Sequence, residues 1–310
     1  MVMLTPTQPV WIYDRTICSG LGDRLGALLT VATLAHMAAV DVEMEWCSGD
    51  LSRVHGNVRA HIPEWTGFNY SRVEFLDAFS VPPSIRLVDR FEDRSLPSIS
   101  FVGNELPAEE GRDQVYTLAS RTTHLSWPVH SDDFTRAYHV VGAQLASRQP
   151  RPMGPYVVLH VRAPGKNTYA PTSVRDPSLF CTRRVLRSVL GHGHQVVLIS
   201  DDLAFAMAAI APHSLTVADG TAFGDMALLL GATGIIQHSP TGYSSYSSVP
   251  AMAHGIPLLN TYTGQDHRYR LFDTLPVEFH TCAQRKRFVS RLNIRRPQVA
   301  RGAYRNVIET

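Results

Sequence analysis

The chain reads as an α/β protein of two doubly wound domains facing a central cleft, and three observations predict this. A short apolar run, Val10 to Tyr13, is followed by the Gly20-Leu21-Gly22 turn, an apolar helical segment and the period-two segment Val42 to Trp46. From Tyr156 to Asn260, apolar runs of strand length alternate with segments of helix length. Between the two halves lies a Pro-rich stretch, Arg148 to Pro155. Strand-turn-helix-strand units of this kind pack as parallel sheets with right-handed crossovers. The expected division is residues 1–150 and 151–310.

The elements follow in order. A helix is expected from Asp23 to Ala39, apolar on most faces and therefore sandwiched against a sheet. Val42 to Trp46 is the next strand. Residues 50–130 are rich in Pro and in short alternating runs such as Ile85 to Val88 and Ser98 to Val102, which read as short strands and loops. A helix is expected from Asp132 to Ser147. In the second half, strands are expected at Tyr156 to Val161, Gln195 to Ser200, Leu215 to Val217, Gly234 to Gln237 and Pro257 to Asn260. Helices are expected at Pro177 to Leu190, Leu203 to Ala211, Asp225 to Gly231 and Ser247 to His254.

Composition narrows the class. The 310 residues are 44% hydrophobic and 18% charged, enough for two substantial cores. A net charge of only +2 argues against nucleic-acid binding over a broad basic face. The basic clusters Arg183 to Arg187 and Arg285 to Arg296 read as solvated helix faces and a tail. Cys18, Cys47, Cys181 and Cys282 lack CxxC spacing, so reduced thiols are expected, with neither a zinc site nor a disulfide framework. No signal peptide and no apolar run of membrane-spanning length is evident, and the expectation is a cytoplasmic protein without stable membrane insertion.

Ligands of open α/β sheets sit beyond the carboxyl ends of the strands. Four such ends carry polar groups here. Arg162 offers a planar donor fork suited to a diphosphate, or to a salt bridge at the sheet rim. His160, on the same side, suits a phosphate contact or a hydrogen-bonded core position. Ser200-Asp201-Asp202 can cap a helix or accept hydrogen bonds from a base or ribose. Ser239 to Ser247, including Tyr243, Ser244, Ser245 and Tyr246, forms a Gly/Ser-rich loop whose amides and hydroxyls could surround a phosphate. Gly20-Leu21-Gly22 is a short turn without a completed G-x-G-x-x-G pattern, and neither a Walker A, a G-x-S-x-G nor a D-x-D pattern occurs. The sum points to a nucleotide diphosphate held in the cleft.

Gly20 to Leu25, His160-Val161-Arg162, Ser200-Asp201-Asp202, and Asp225 to Leu229 with Gly242 to Ser247 together resemble the GDP-fucose-dependent fucosyltransferase superfamily. The likeness is nearest to the bacterial nodulation branch and covers about half of the chain, carried by the order and spacing of the four pieces. It implies a GT-B-like fold of two Rossmann-like domains, acceptor-side first and donor-binding second. It implies an inverting, metal-independent glycosyltransferase with no cofactor, whose partners are a nucleotide sugar and a glycan acceptor. By this analogy Arg162 binds the donor β-phosphate and His160 supports the diphosphate. Asp201 or Asp202 takes the guanine, Ser244 to Ser247 the phosphates, and Asp225, Tyr243, Ser245 and Tyr246 belong to the donor site. Gly20 and Gly22 let the backbone approach the donor.

The family's second Arg is Ala163 here, followed by Pro164-Gly165-Lys166. This departure leaves open a xylosyl, rhamnosyl or other donor, or a sugar-nucleotide or glycan-binding protein without catalysis. Asp23, at the helix start, is the candidate base, or simply a carboxylate favoured by the helix dipole. Trp65, Phe68, Tyr70, Trp127 and Tyr138 are candidate sugar platforms or core residues. Neither the acceptor nor an oligomeric state is legible in the residues.

Overall fold

The computed structural model describes residues 10–13, 20–46, 70–89, 98–101, 116–120, 132–150, 152, 154–163, 177–213, 215–239, 244–261 and 278–295. They form two parallel sheets. The first comprises β1 (Val10–Tyr13), β2 (Asp41–Glu45), β4 (Ile85–Val88), β5 (Ser98–Phe101) and β6 (Tyr116–Ser120), ordered β4-β2-β1-β6-β5. The second comprises β8 (Tyr156–Val161), β9 (Gln195–Ser200), β10 (Thr216–Val217), β11 (Gly234–His238), β12 (Leu258–Asn260) and β13 (Phe279–His280), ordered β10-β9-β8-β11-β12-β13. In both, the order reverses beside the first strand, the arrangement that opens a ligand crevice at strand carboxyl ends. This is the expected α/β, GT-B-like fold of two Rossmann-like halves.

Every residue of β8 is buried, as expected for a central parallel strand covered on both faces. Its alternate residues feed two cores. Val157, Leu159 and Val161 point toward α4 (Pro177–Gly191), α5 (Leu203–Ile210) and α8 (Arg285–Arg295). Tyr156 and Val158 point the other way, into a core shared with the first sheet through α1 (Leu21–Ala38), α3 (Asp132–Gly142), α6 (Ala222–Gly231) and α7 (Ser245–Ala253). Leu25, Leu28, Leu29 and Leu34 of α1 are completely buried there. Truncating any of them to Ala would cost about 2–5 kcal/mol.

Helix α7 is clamped between α1 and α3, and two glycines permit it. A Cβ on Gly22 would lie 2.4 Å from Tyr246 N, and one on Gly142 would lie 2.4 Å from Ala253 O. Both obstacles are backbone, so neither can swing away.

Several expectations are corrected. The helix expected to reach Ser147 stops at Gly142, and Ala146–Ser147 instead pair antiparallel as β7 with β3 (Phe79–Ser80). A helix, α2 (Arg72–Ala78), lies in the stretch read as strands and loops. Ser71 and Glu74 close a reciprocal capping box that starts it, an S-x-x-E signature present in the sequence. Helix α6 starts at Ala222 rather than Asp225 because the Thr221 side chain accepts from Gly224 N. The basic segment read as a solvated face and tail is in part α8, which buries Phe288, Val289 and Leu292. The Pro-rich stretch is anchored at its start, where Arg148 N donates to Ala78 O.

The expectation of reduced thiols without a disulfide is also corrected, since Cys181 and Cys282 form one. It ties α4 to the 3-10 turn Cys282–Gln284 that leads into α8. The partners are 101 residues apart in sequence, and only the packing of α8 on α4 brings their Cα atoms to 6.1 Å. Cys18 and Cys47 lie outside the described residues, as do Trp65, Phe68 and Trp127. Among the described residues, no helix is long and apolar enough to cross a membrane.

Two measurements of stability check this packing. Gly142→Ala should lower the unfolding free energy by about 1–3 kcal/mol in urea titration. Gly191→Ala, whose Cβ would meet nothing within 4 Å, should change it by less than about 0.5 kcal/mol. Equal stability of the two variants would refute the close helix approach. Tyr138 carries a buried hydroxyl with no hydrogen-bond partner, and burial holds its phenol far above the ordinary pKa. Tyr138→Phe should therefore stabilise the fold by about 1 kcal/mol or more, and a loss of stability would show the hydroxyl to be bonded.

Candidate functional site

The carboxyl ends of the two sheets meet where α1 and α7 begin. Helix α1 follows β1 and helix α7 follows β11, so contact between Gly22 and Tyr246 brings two helix N-termini together. Gly20 caps α1 in an extended conformation, and its carbonyl accepts from Asp23 N and Arg24 N. Gly22 thus serves a helix-helix approach, where the sequence reading had it admitting a donor. Asp23 stands half-buried on the first turn of α1, and its carboxylate has no hydrogen bond or ion pair among the described residues.

Beneath the first turn of α7 lies a buried polar network. His160 on β8 and Gln237 on β11 are register partners, and both reach Ser247. The Ser247 hydroxyl donates to Gln237 Oε1 at 3.0 Å and sits 3.0 Å from His160 Nδ1. Ser248 donates to the same Gln237 oxygen at 3.1 Å. A hydroxyl has one proton, so with Ser247 donating to Gln237 Oε1 it accepts from His160 Nδ1–H, and the opposite orientation of the Gln237 amide would reverse that pairing. Burial, then the charges of Arg162 and His238, push His160 down to about 3, so the ring is neutral at physiological pH. In this arrangement the partner of His160 Nδ1 is Ser247. Ser244 and Ser247 are buried as well. Ser245 and Tyr246 are only partly buried, in the first helical turn where backbone N–H groups lack helical partners.

Arg162 lies at the very end of β8, half-buried, with its backbone N–H donating to His238 O. Ala163, standing where the resemblance has a second Arg, is buried, and its N–H donates to Asp201 Oδ1 at 2.8 Å. Asp202 caps α5, accepting from Phe205 N at 2.9 Å. Of the two readings of Ser200-Asp201-Asp202, the structure gives Asp202 to the helix cap and ties Asp201 to the β8 end.

Asp225, on the first turn of α6, is 8% exposed, and its Oδ1 has no hydrogen-bond partner. Burial, then the nearby charge of Asp219, push its carboxyl up to about 7. Tyr246 lies close enough to feel its charge. Tyr246 reaches across from α7 and donates its hydroxyl to Ala222 O at 2.6 Å. The Tyr246 ring lies 5.7 Å from that of His160. Phe223, two residues before Asp225, packs on Tyr70, Phe75 and Phe79 of the first half. Tyr70 in turn shares the Arg24 guanidinium with Trp46, at 5.2 and 5.5 Å. Burial lowers Arg24 to about 10, so it remains a cation stacked between two rings.

The structure therefore gathers Gly20, Gly22, Asp23, His160, Arg162, Asp225 and Ser244 to Ser247 around one cleft end, while Tyr243 lies outside the described residues. The sequence reading missed Arg24 and Gln237, and had Tyr70 only as a platform or core candidate. A polar Gln inside the apolar run Gly234-Ile235-Ile236 was the signal for one, and an Arg inside an apolar helix for the other. Tyr138 proves to be core. Among the described residues, no group of three or more His, Cys, Asp or Glu stands close enough to hold a metal ion.

No protein-family model and no curated protein matches the chain. Its chain path is similar to that of a NodZ alpha-1,6-fucosyltransferase soaked with GDP-fucose, at 13% identity and a TM-score of 0.48, covering 80% of this chain and 93% of that one. It is also similar to the E. coli heptosyltransferase WaaC with ADP, at 12% identity and 0.48, covering 92% and 99%. A glycosyl transferase of family 9 from Veillonella parvula matches at 10% identity and 0.44, covering 91% and 88%.

Asp225 makes stability depend on pH in a defined direction. Below about pH 4 its carboxyl is protonated in both the folded and unfolded chain. Between about 4 and 7 the unfolded chain releases the proton while the folded chain keeps it, so stability falls as pH rises, and above about 7 the loss is complete. The full effect is on the order of 4 kcal/mol. Asp225→Asn should abolish this slope and stabilise the protein at pH 8. Parallel stability profiles for wild type and variant would show that Asp225 ionises without penalty.

Proposed function

We propose that the chain is an inverting glycosyltransferase that takes a GDP-sugar, L-fucose from GDP-fucose first among them, and transfers the sugar to a glycan hydroxyl. In this reading residues 151–310 hold the donor and residues 1–150 face the acceptor. The observation that carries it is the buried Asp225 carboxyl, whose Oδ1 has no hydrogen-bond partner and which lies close to Tyr246 on the first turn of α7. Guanine presents two adjacent donors, N1–H and the N2 amino group, which match the two oxygens of one carboxylate. Uracil and adenine each present a single donor group on the corresponding edge. A bound guanine would relieve the desolvation of Asp225, so selectivity follows from satisfying a buried group.

The chemistry needs a stabilised leaving group. The acceptor oxygen bonds to the anomeric carbon as the bond from that carbon to the β-phosphate oxygen breaks, and GDP leaves with the electron pair. Arg162 supplies a fork of donors to that diphosphate, and the α7 N-terminus supplies backbone N–H groups. The reading gives charge neutralisation to these groups and asks for no metal. Asp23, on the opposite wall, takes the proton of the attacking hydroxyl. The neutral His160–Ser247–Gln237 network holds α7 at the height where its amides meet the phosphates.

The second reading is a sugar-nucleotide or glycan-binding protein without turnover. Ala163 favours it, because the position of the second Arg is filled by a buried methyl group whose backbone is tied to Asp201. Hydrolysis or transfer of GDP-fucose by the pure protein separates the two.

Calorimetry with EDTA present should show GDP binding more tightly than UDP, ADP or CMP. Arg162→Ala should weaken GDP at least tenfold, and a change of less than a few-fold would remove Arg162 from the site. Because a bound guanine favours the ionised carboxylate, Asp225 should make GDP affinity rise by up to about tenfold per unit below pH 7 and level off above it. Asp225→Asn should weaken binding and remove that component, measured as the difference between variant and wild type. Equal affinity for all four nucleotides would sink the guanine assignment.

A further inference from the structure

The face of the second sheet that turns away from the cleft carries a concentration of positive charge that the donor reading does not use. Helix α4 contains no Asp or Glu from Pro177 to Gly191, and helix α8 contains none from Arg285 to Arg295. Their inner sides are buried in the same core. Phe180, Arg184 and Arg187 follow one another at helical spacing along the outer side of α4 and are all exposed. Lys286, Arg287 and Arg291 are exposed on α8, with Glu278 the acidic partner of Arg291 at 2.7 Å. In a chain whose net charge is only +2, this is a strong local asymmetry.

Two further features make it a fixed amphipathic surface. The Cys181–Cys282 disulfide joins the start of α4 to the turn that opens α8, so both basic helices are held as one face. The exposed apolar side chains lie at the end where these helices begin. Phe180 is 67% exposed, and Leu203 and Met207 on the adjoining α5 are 39% and 37% exposed. Arg183 Nε donates to Ala209 O and fixes α5 against α4. At the α5 start, Asp201 is engaged with Ala163 and Asp202 caps the helix.

We propose that this α4–α8 face docks reversibly on an anionic phospholipid surface. Cations meet the headgroups, and Phe180 with Leu203 and Met207 enters the boundary between headgroups and acyl chains. Nucleic acid would use the cations but has no place for aliphatic side chains at their rim. Such docking would set the cleft mouth, from which α4 and α5 both start, close to the membrane. The proposal does not depend on the identity of the donor.

Co-sedimentation of the full chain with vesicles tests it. Mixed phosphatidylcholine and phosphatidylglycerol vesicles should capture the protein at low salt and release it at high salt, while pure phosphatidylcholine should not capture it. Arg184→Gln with Arg187→Gln should lower the partition coefficient about twenty-five-fold, near fivefold for each cation removed. Lys286→Gln with Arg287→Gln should do the same, and Phe180→Ser should weaken capture without changing its salt dependence. Thermal unfolding of each variant and its GDP affinity should match wild type, which keeps failure of the donor assignment distinct from failure of docking. Absence of selectivity for the anionic vesicles, or full capture of both double variants, would overturn the proposal. Tight binding of single-stranded RNA without vesicle capture would overturn it in favour of a polyanionic partner.

Discussion

The approach of α7 to α1 and α3 is the constraint on which the rest depends. A Cβ at Gly22 or Gly142 would hold these helices apart, because the obstacles both glycines avoid are backbone. Because α7 follows β11 and α1 follows β1, this contact fixes one parallel sheet against the other. The two halves consequently share a continuous apolar core on the cleft side. A site assembled from both halves is then held in place before any ligand arrives, and this lowers the entropy lost on binding.

That rigidity accounts for the electrostatics beneath the cleft. His160, Gln237 and Ser247 bury polar atoms where water has no access, and each finds a partner in the others. The outcome is a neutral floor. A cation at His160 would have to share that floor with Arg162 and His238, and burial together with their charges forbids it. Among the described residues, the cations nearest this floor are Arg162 at the β8 end and Arg24, stacked between Trp46 and Tyr70. Satisfaction is incomplete there, since Gln237 Nε2 and Asp225 Oδ1 are buried without hydrogen-bond partners, and the Asp225 carboxyl lies close to Tyr246.

The two faces of the second sheet have different roles because β8 is covered on both sides. Even-numbered residues of β8 reach the cleft side, and odd-numbered residues reach α4 and α8. The apolar odd face needs no site chemistry, so its covering helices are free to carry an exposed basic and apolar surface. The disulfide that staples them belongs to this outer layer and not to the cleft.

The sequence by itself determined the alternation of strands and helices, since periodicity reports which side of an element is buried. It located Gly20 to Asp23, His160, Arg162, Asp225 and Ser244 to Ser247, because strand ends and helix starts carry the ligand in such sheets. The roles were decided only in three dimensions. Whether Gly22 admits a ligand or a neighbouring helix depends on where α7 lies, more than 200 residues away along the chain. The tautomer of His160 depends on Gln237, and the duties of Asp201 and Asp202 on Ala163 and Phe205. Cys181 and Cys282 meet only because α8 packs on α4. Local pattern fixes which residues can serve, whereas hydrogen bonding, desolvation and covalent pairing depend on through-space neighbours that no spacing in the chain encodes.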